Sequence, residues 1–211
     1  MNDAPVRAEQ DVDRRRFERA KNDVPPLEPR HIETCRLLPT REDLLTRFAR
    51  GSVAAEVGVA HGRFTQKILQ LADVRTLYLI DAWSSDRYGS GLSEVKQKFA
   101  AEIATGKVIL KQGYSTEVLA DLPDAIFDWI YIDTNHTFDL TLQELRLGAE
   151  KVKATGYLAG HDFSVGNAVF PFVYGVIGAC HTFCREAGWR YRWLTFESDG
   201  AFSFCIERIP G

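Results

Sequence analysis

Several features are scarce or missing in this 211-residue chain, and each absence excludes a class of protein. No apolar run approaches the roughly 20 residues that a membrane-spanning helix needs, so we expect no membrane partner. The N-terminal residues are charged and lack the apolar core of a signal peptide. Four cysteines in a chain of this size are not typical of a disulfide framework. We therefore expect a reduced, cytoplasmic protein.

An excess of charge of one sign is also missing. Lysine and arginine number 26 against 29 aspartates and glutamates, which gives a formal net charge of −3. This balance offers no electrostatic argument for a nucleic-acid partner. Repeats and linkers are absent too, and 45% hydrophobic residues suffice for one substantial core. We predict a charged N-terminal arm or lid over residues 1–39 and a single folded domain over residues 40–211.

The most informative stretch is V-A-A-E-V-G-V-A-H-G-R-F, from Val53 to Phe64. Its first residues form a short apolar run that is typical of a buried strand. Glu56 ends that run, Gly58 and Gly62 follow at a spacing of four, and apolar residues then recur at helical intervals. A glycine loop lets a ligand approach the backbone, and the helix beyond it presents unpaired N–H groups. The stretch predicts a nucleotide or nucleoside site at the head of an α/β sheet.

The acid at the strand end decides between classes of ligand. A dinucleotide fingerprint reads G-x-G-x-x-G, but Glu56 stands here in place of its first glycine. A carboxylate would repel a pyrophosphate, whereas it can receive an ammonium group, so an NAD-dependent enzyme is disfavoured. The stretch instead resembles the first motif, (D/E)-x-G-x-x-x-G, of the class I S-adenosylmethionine-dependent methyltransferases.

The rest of the chain fits that resemblance. Apolar runs predict strands at 74–80, 108–110, 126–132 and 156–159, separated by segments of helical periodicity such as Gly91 to Ala104. A turn at Ser198-Asp199-Gly200 predicts a terminal hairpin. On the helix after the fourth strand, Val152 is predicted to face the core and Glu144 the solvent. We predict a Rossmann-like, doubly wound, seven-stranded and mostly parallel sheet with a C-terminal antiparallel hairpin.

The resemblance implies S-adenosylmethionine as cofactor and assigns its binding to residues at the strand ends. Asp81, a little over twenty residues beyond Gly58, would accept hydrogen bonds from the ribose hydroxyls. Ser115 is equally suited to cap a helix, and Trp83 to a core or lid position. The whole implied set is Glu56, Gly58, Val59, His61, Gly62, Asp81, Ala82, Trp83, Gly113, Ser115 and Asp133.

Two neighbouring strand ends carry further titratable groups. Asp133 follows the fourth strand, and His161-Asp162 follow the fifth. This arrangement resembles the metal-dependent small-molecule O-methyltransferases of the catechol and macrolide-sugar types, and it implies that these three residues bind a divalent ion such as Mg or Mn. Magnesium prefers oxygen ligands. Three alternatives therefore stay open: His161 is not a ligand, the site takes a softer metal, or no metal binds and Asp162 orients His161.

His136 is the predicted general base. It follows Asp133 by three residues, where catechol-type relatives carry their basic catalytic residue. Methyl transfer to a hydroxyl requires removal of its proton, and histidine, with an ordinary pKa of ~6.5, can accept it near neutral pH. His161 is the alternative base. The predicted acceptor is a small hydroxylated molecule.

The acceptor pocket is predicted to have a partly aromatic wall. Its residues would come from the N-terminal arm, the 84–91 loop and the 164–171 segment, which carry Phe17, Tyr88, Phe163 and Phe170. A homodimer that caps the site is compatible with this arrangement.

Two other functions compete with methyl transfer. One is a metal-assisted hydrolase or oxygenase that uses the same acids and histidine. The other is a nucleoside-binding protein without turnover.

The Cys180-His181-x-x-Cys184 motif does not predict a zinc site, because no second ligand pair accompanies it. Thiols buried in the core are the simpler interpretation of these cysteines.

Overall fold

In the computed structural model, which describes residues 4–84, 89–167 and 172–211, helices pack on both faces of one eight-stranded sheet. The strands are β1 Arg36–Leu38, β2 Val53–Val57, β3 Thr76–Asp81, β4 Val108–Gln112, β5 Phe127–Ile132, β6 Val152–Gly160, β7 Trp189–Thr195 and β8 Phe204–Arg208. The helices are α1 Ala4–Lys21, α2 Pro29–Ile32, α3 Arg41–Leu45, α4 Arg63–Leu71, α5 Gly91–Lys98, α6 Ala100–Ala104, α7 Ser115–Asp121, α8 Phe138–Lys151 and α9 Val176–Ala187.

The strand order is β1-β7-β8-β6-β5-β2-β3-β4. Every pair is parallel except the two that involve β8, which runs antiparallel to β6 and β7. The predicted Rossmann-like sheet with a C-terminal antiparallel hairpin is therefore confirmed. β2 lies between β3 and β5, and this reversal of strand order is where open α/β sheets bind ligands, at the carboxyl ends.

The strand count was predicted wrongly, since the sheet has eight strands and not seven. The additional strand, β1, lies within the predicted arm and pairs in parallel with β7, with Leu37 opposite Leu194. It has only three residues before Pro39, and Leu37 is 67% exposed. Backbone pairing at an edge leaves no alternation of apolar and polar residues in the sequence, so the pattern could not reveal it.

Some boundaries also differ from the sequence pattern. The predicted helix from Gly91 to Ala104 is broken at Phe99, whose φ of −113° and ψ of 28° separate α5 from α6. Phe99 packs into the core, and this burial fixes the bend. Val152, predicted for the core face of a helix, instead begins β6.

Glu144 corrects the predicted orientation of α8, because it is fully buried and not on the solvent face. The hydroxyl of Thr134 donates a 2.9 Å hydrogen bond to its carboxyl group. Burial raises the pKa of Glu144 to about 7, since a carboxylate without water is costly to ionise. Through the hydrogen bond with Thr134, the buried Glu144 side chain stabilises the loop after β5.

The core lies on both faces of the sheet. On one face the rings of Phe48 and Trp129 stack with centroids 4.4 Å apart, and on the other Cys180 and Cys184 of α9 are fully buried. All four cysteines are free thiols. Among the described residues, no helix combines the length and the apolar character needed to cross a bilayer.

Candidate functional site

A cavity of about 1100 Å³ opens at the carboxyl ends of the central strands. It brings together most of the residues that the sequence analysis selected, from five separate segments of the chain. Those that line it are Glu56, Gly58, Val59, His61, Asp81, Ala82, Trp83, Ser115, Asp133, His136 and Asp162. Three others, Gly62, Gly113 and His161, are not among the residues that line it.

The glycine loop after β2 requires its glycines for space as well as for conformation. Gly58 has a φ of +90°, and a Cβ there would overlap the carbonyl oxygen of Asp133. Gly62, with a φ of +68°, precedes the first turn of α4, and a Cβ there would come within 2.7 Å of the Phe99 ring. The loop therefore lies directly against the end of β5, as close approach of two backbones requires.

Asp81 holds this loop. Its Oδ2 accepts hydrogen bonds from the backbone N–H groups of Val59 (2.8 Å) and Ala60 (2.9 Å), and its Oδ1 accepts one from Trp83 (2.7 Å). The Trp83 indole in turn donates to the carbonyl of Ala60 at 2.8 Å. A carboxylate has about four acceptor positions, so one position remains for a ligand hydroxyl. The ribose role of Asp81 stays a prediction, and clamping the loop is added to it.

Glu56 is almost fully enclosed, with 1% of its surface exposed. The hydroxyl of Thr65, on α4, donates a 2.6 Å hydrogen bond to its Oε2. Burial raises the pKa of Glu56 to about 8, against the smaller opposing effect of that hydrogen bond. The side chain is therefore mostly neutral at pH 7, and a cationic ligand group would favour its ionised form.

Glu56→Gln tests this protonation state. The folded pKa lies above the unfolded value of 4.5, so the stability that Glu56 contributes is complete below that value and is lost as the pH rises towards 8. In that interval each rise of one pH unit lowers the free energy of unfolding of the wild type by about 1.4 kcal/mol. We expect the stability of the variant relative to wild type to rise by about 2 kcal/mol between pH 6 and 8 in urea unfolding. Equal pH dependence of both proteins would contradict a buried neutral acid.

Asp133, His136 and Asp162 form the group of acids and imidazole within the cavity. His136 Nε2 lies 3.1 Å from Asp162 Oδ2, and one potential ligand atom from each of the three residues lies within 4.8 Å of the others. His161 Nδ1 is 3.5 Å from Asp162 and 3.9 Å from Asp133. The predicted metal set of Asp133, His161 and Asp162 stays a prediction, and the structure brings His136 to the same two acids.

The charges in this group act on one another. Burial raises the pKa of the Asp133 carboxyl group, with a smaller contribution from the charge of Asp162. Burial would also raise the pKa of Asp162, but the neighbouring imidazoles of His161 and His136 outweigh it and lower that pKa. For His161, burial lowers the pKa, yet the hydrogen bond and charge of Asp162 and the charge of Asp133 raise it overall. Of the two acids, Asp162 is the better partner for a histidine.

Backbone strain is concentrated at the same place. Six non-glycine residues of the described chain have positive φ, and four of them line the cavity. These four are Ala60 (50°), Trp83 (44°), His136 (60°) and Asp162 (53°). Left-handed backbone at non-glycine residues costs free energy and persists where surrounding contacts impose it, often at functional sites.

The aromatic wall of the cavity differs from the one predicted. Phe17 is 62% exposed and Phe163 packs against Tyr191 and Phe204, so neither lines the cavity. Tyr88 and Phe170 lie outside the described residues. The described lining instead includes Tyr114, Phe172 and Tyr174, besides Phe64 and Trp83.

The predicted arm contacts this wall. The Asn22 side chain, after α1, donates a 2.9 Å hydrogen bond to the carbonyl of Tyr174. Within α1 the Arg14 guanidinium lies 5.2 Å from the centre of the Phe172 ring. Tyr174 in turn packs against the His136 ring at 4.8 Å. The N-terminal helix is thus connected to the candidate base through one layer of side chains.

Arg41 lines the cavity, although no motif in the sequence pointed to it. It is the first residue of α3, and its guanidinium lies 4.5 Å from the centre of the Phe64 ring and 4.0 Å from Asp133 Oδ2. Only the packing of α3 against α4, β1 and β7 brings this cation to the acids of the cavity.

Solved structures share this fold. The Streptococcus mutans protein SMU.1697c, whose structure contains S-adenosylhomocysteine (SAH), matches with a TM-score of 0.58 and 15% identity. The match covers 79% of this chain and 94% of its own. An O-methyltransferase family protein from Burkholderia thailandensis matches with 0.60 and 13%, over 81% of this chain and 56% of its own. The B. subtilis m1A22 tRNA methyltransferase TrmK matches with 0.57 and 15%, over 81% and 66%.

The likeness to these structures concerns the fold alone, since their identity to this chain is 15% or less. The chain spans little more than half the length of the Burkholderia protein. Curated proteins give no significant sequence match.

A family described as "Methyltransferase domain" matches residues 55–163, which is more than half of the chain and includes the glycine loop, Asp81, Asp133, His136 and Asp162. The chain belongs to this methyltransferase-domain family and has the fold of the class I S-adenosylmethionine-dependent methyltransferases.

Proposed function

We propose that the protein transfers a methyl group from S-adenosylmethionine to a hydroxyl oxygen of a small molecule, with His136 as general base. The observation that carries this proposal is the 3.1 Å contact between His136 Nε2 and Asp162 Oδ2 at the cavity wall. A carboxylate at that distance orients the imidazole. Among nucleophiles, a hydroxyl oxygen needs this help most, because it must lose a proton to attack.

The cavity fits the methyl donor. About 1100 Å³ is at the upper end of the volumes of small-molecule sites, so cofactor and acceptor can be held together. Glu56 and Asp81 offer carboxyl groups for the ammonium and ribose parts of the cofactor. When bound, S-adenosylmethionine supplies an electrophilic methyl group. The protein orients it and accepts the proton of the acceptor.

A divalent ion fits the same group of side chains. Two carboxylates and one imidazole, from Asp133, Asp162 and His136, have ligand atoms within 4.8 Å of one another. An imidazole donor suits Mn or another transition ion better than Mg. Such an ion would lower the pKa of a bound acceptor hydroxyl and position it, and His161 would then be the alternative base.

A small acceptor is favoured over a nucleic acid by charge. The chain carries a net charge of −3, and acids lie around the candidate base. Affinity for nucleic acids depends on positive side chains near the phosphates. TrmK, with a similar fold, is a tRNA methyltransferase, and tRNA is therefore one of the acceptors to test.

His136→Gln should leave SAH affinity within about twofold of wild type and lower kcat by roughly 10²- to 10⁴-fold, because the variant loses the proton acceptor but no cofactor contact. Transfer of a labelled methyl group to a panel of catechols, hydroxylated aromatic compounds and sugars measures it. His181→Gln is the matched control, since His181 packs against Phe163 and Tyr191 outside the cavity.

Other outcomes assign other functions. Full activity of His136→Gln on an identified acceptor would exclude this base. SAH binding without transfer to any acceptor would favour a nucleoside-binding protein, and transfer to tRNA alone would exclude the small-molecule acceptor. Metal-dependent turnover in the absence of SAH binding would favour a hydrolase or oxygenase.

A further inference from the structure

Near the candidate base, the cavity wall carries a pair of neutral polar side chains, Asn167 and Tyr174. A short antiparallel pairing of the backbone brings the two together. Gly166 forms a bridge with Val173, and the backbone N–H of Asn167 donates a 3.1 Å hydrogen bond to the carbonyl of Phe172. A Cβ on Gly166 would lie 2.4 Å from that carbonyl oxygen, so the two segments are in close contact. The pair is therefore built into the wall by backbone contacts.

Tyr174 is held in place from several sides. The side chain of Asn22 donates a 2.9 Å hydrogen bond to its carbonyl, and the next residue, Gly175, donates its N–H to the carbonyl of His136 at 2.8 Å. The Tyr174 ring packs against the His136 ring with centroids 4.8 Å apart. Only 8% of the Tyr174 surface is exposed. A side chain that is already fixed in this way loses little conformational entropy when it binds a ligand.

The phenol of Tyr174 has a proton to donate. Its oxygen accepts a 3.3 Å hydrogen bond from Asn167 Nδ2. A hydroxyl that accepts a hydrogen bond keeps its own O–H as a donor, and no acceptor for it is found within the described part of the chain. Burial raises the pKa of Tyr174 and the charges of Asp162 and Asp133 add to this, against the opposing effect of the Asn167 bond. The phenol therefore stays protonated near neutral pH.

The position beside His136 indicates what this donor binds. A general base must reach the hydroxyl that reacts, so a side chain packed against its ring faces the acceptor molecule. A donor there requires an oxygen with a free lone pair. The negative charges of Asp133 and Asp162 disfavour an anionic oxygen, which leaves a hydroxyl, ether or carbonyl oxygen as the partner.

We propose that Tyr174 is a specificity-determining residue whose phenol donates a hydrogen bond to a second, neutral oxygen of the acceptor, near the hydroxyl that is methylated. This inference rests on the proposed function, since it concerns the acceptor of that methyl transfer. Asn167 holds the phenol through its side-chain amide. The second oxygen does not change its bonding during the reaction, so the contact contributes to KM and not to kcat.

The test uses two pairs of probes, and the members of each pair differ by one hydroxyl. Catechol and phenol are the aromatic pair, and the cis vicinal diol of cyclohexane and cyclohexanol are the alicyclic pair. Transfer of a labelled methyl group gives kcat and KM for each probe that is methylated. Tyr174→Phe should raise KM for the two-oxygen probe roughly 10-fold, because a buried oxygen loses its donor. Its kcat, the KM of the one-oxygen probe and the SAH affinity should stay within about twofold of wild type.

Tyr78→Phe is the matched control, since Tyr78 packs against Phe127 outside the cavity and loses the same hydroxyl. Thermal unfolding of each variant separates misfolding from a local effect. A fall in kcat on both members of a pair would restrict Tyr174 to supporting His136 and would overturn the proposal. An unchanged KM for the two-oxygen probe would overturn it too, as would wild type that binds SAH but methylates neither two-oxygen probe. Wild type that does not bind SAH would instead contradict the proposed function.

Discussion

Gly58→Ala is expected to abolish SAH binding and to destabilise the fold by roughly 3–5 kcal/mol. Two penalties combine at this position. A φ of +90° is unfavourable for alanine, and the new Cβ would overlap the carbonyl oxygen of Asp133, which cannot move without displacing the end of β5. For a chain of this length the melting temperature should fall by about 10 °C or more. Calorimetry of unfolding and an SAH titration measure the two effects.

Gly51→Ala is the control for backbone conformation alone. Gly51 has a φ of +69°, but a Cβ there would meet nothing within 4 Å. Only the conformational penalty applies, so this variant should lose about 1 kcal/mol and bind SAH normally. If both variants behave alike, the loop of Gly58 tolerates a side chain and the proposed close approach is wrong.

Asp81→Ala is expected to weaken SAH binding by more than roughly 100-fold and to lower the free energy of unfolding by about 3 kcal/mol. Three backbone N–H groups lose a charged acceptor, and a bound ribose would lose its hydrogen-bonding partner. SAH titration and urea unfolding together measure both parts.

Asp73→Ala is the control for Asp81, since Asp73 pairs with the exposed Arg50 at the surface, where such pairs contribute little. Loss of stability in Asp81→Ala with unchanged SAH affinity would restrict Asp81 to holding the loop. Loss of affinity with unchanged stability would instead leave ribose binding as its whole role.

The central part of the fold could be predicted because its strands are apolar and buried on both faces, so their periodicity stands out from the helices between them. The terminal hairpin was also predictable, since Trp189–Thr195 alternates between buried and half-buried residues. β1 escaped prediction because a three-residue edge strand is held by backbone hydrogen bonds, which any sequence can form. Glu144 escaped because a buried acid that accepts from Thr134 looks in sequence like any exposed helical acid.

The sequence by itself determined the family and which acidic residues and glycines form the site. E-x-G-x-x-x-G, the acid of β3 and the strand-end acids are local patterns, and the carboxyl ends of parallel strands must meet at one edge of the sheet. Only the tertiary structure decided which side chains face one another there. It placed His136 in one group with Asp133 and Asp162, with His161 also beside both acids, and it brought Arg41 to the cavity. Both depend on loop conformation and helix packing, which involve residues distant in sequence and leave no periodic pattern.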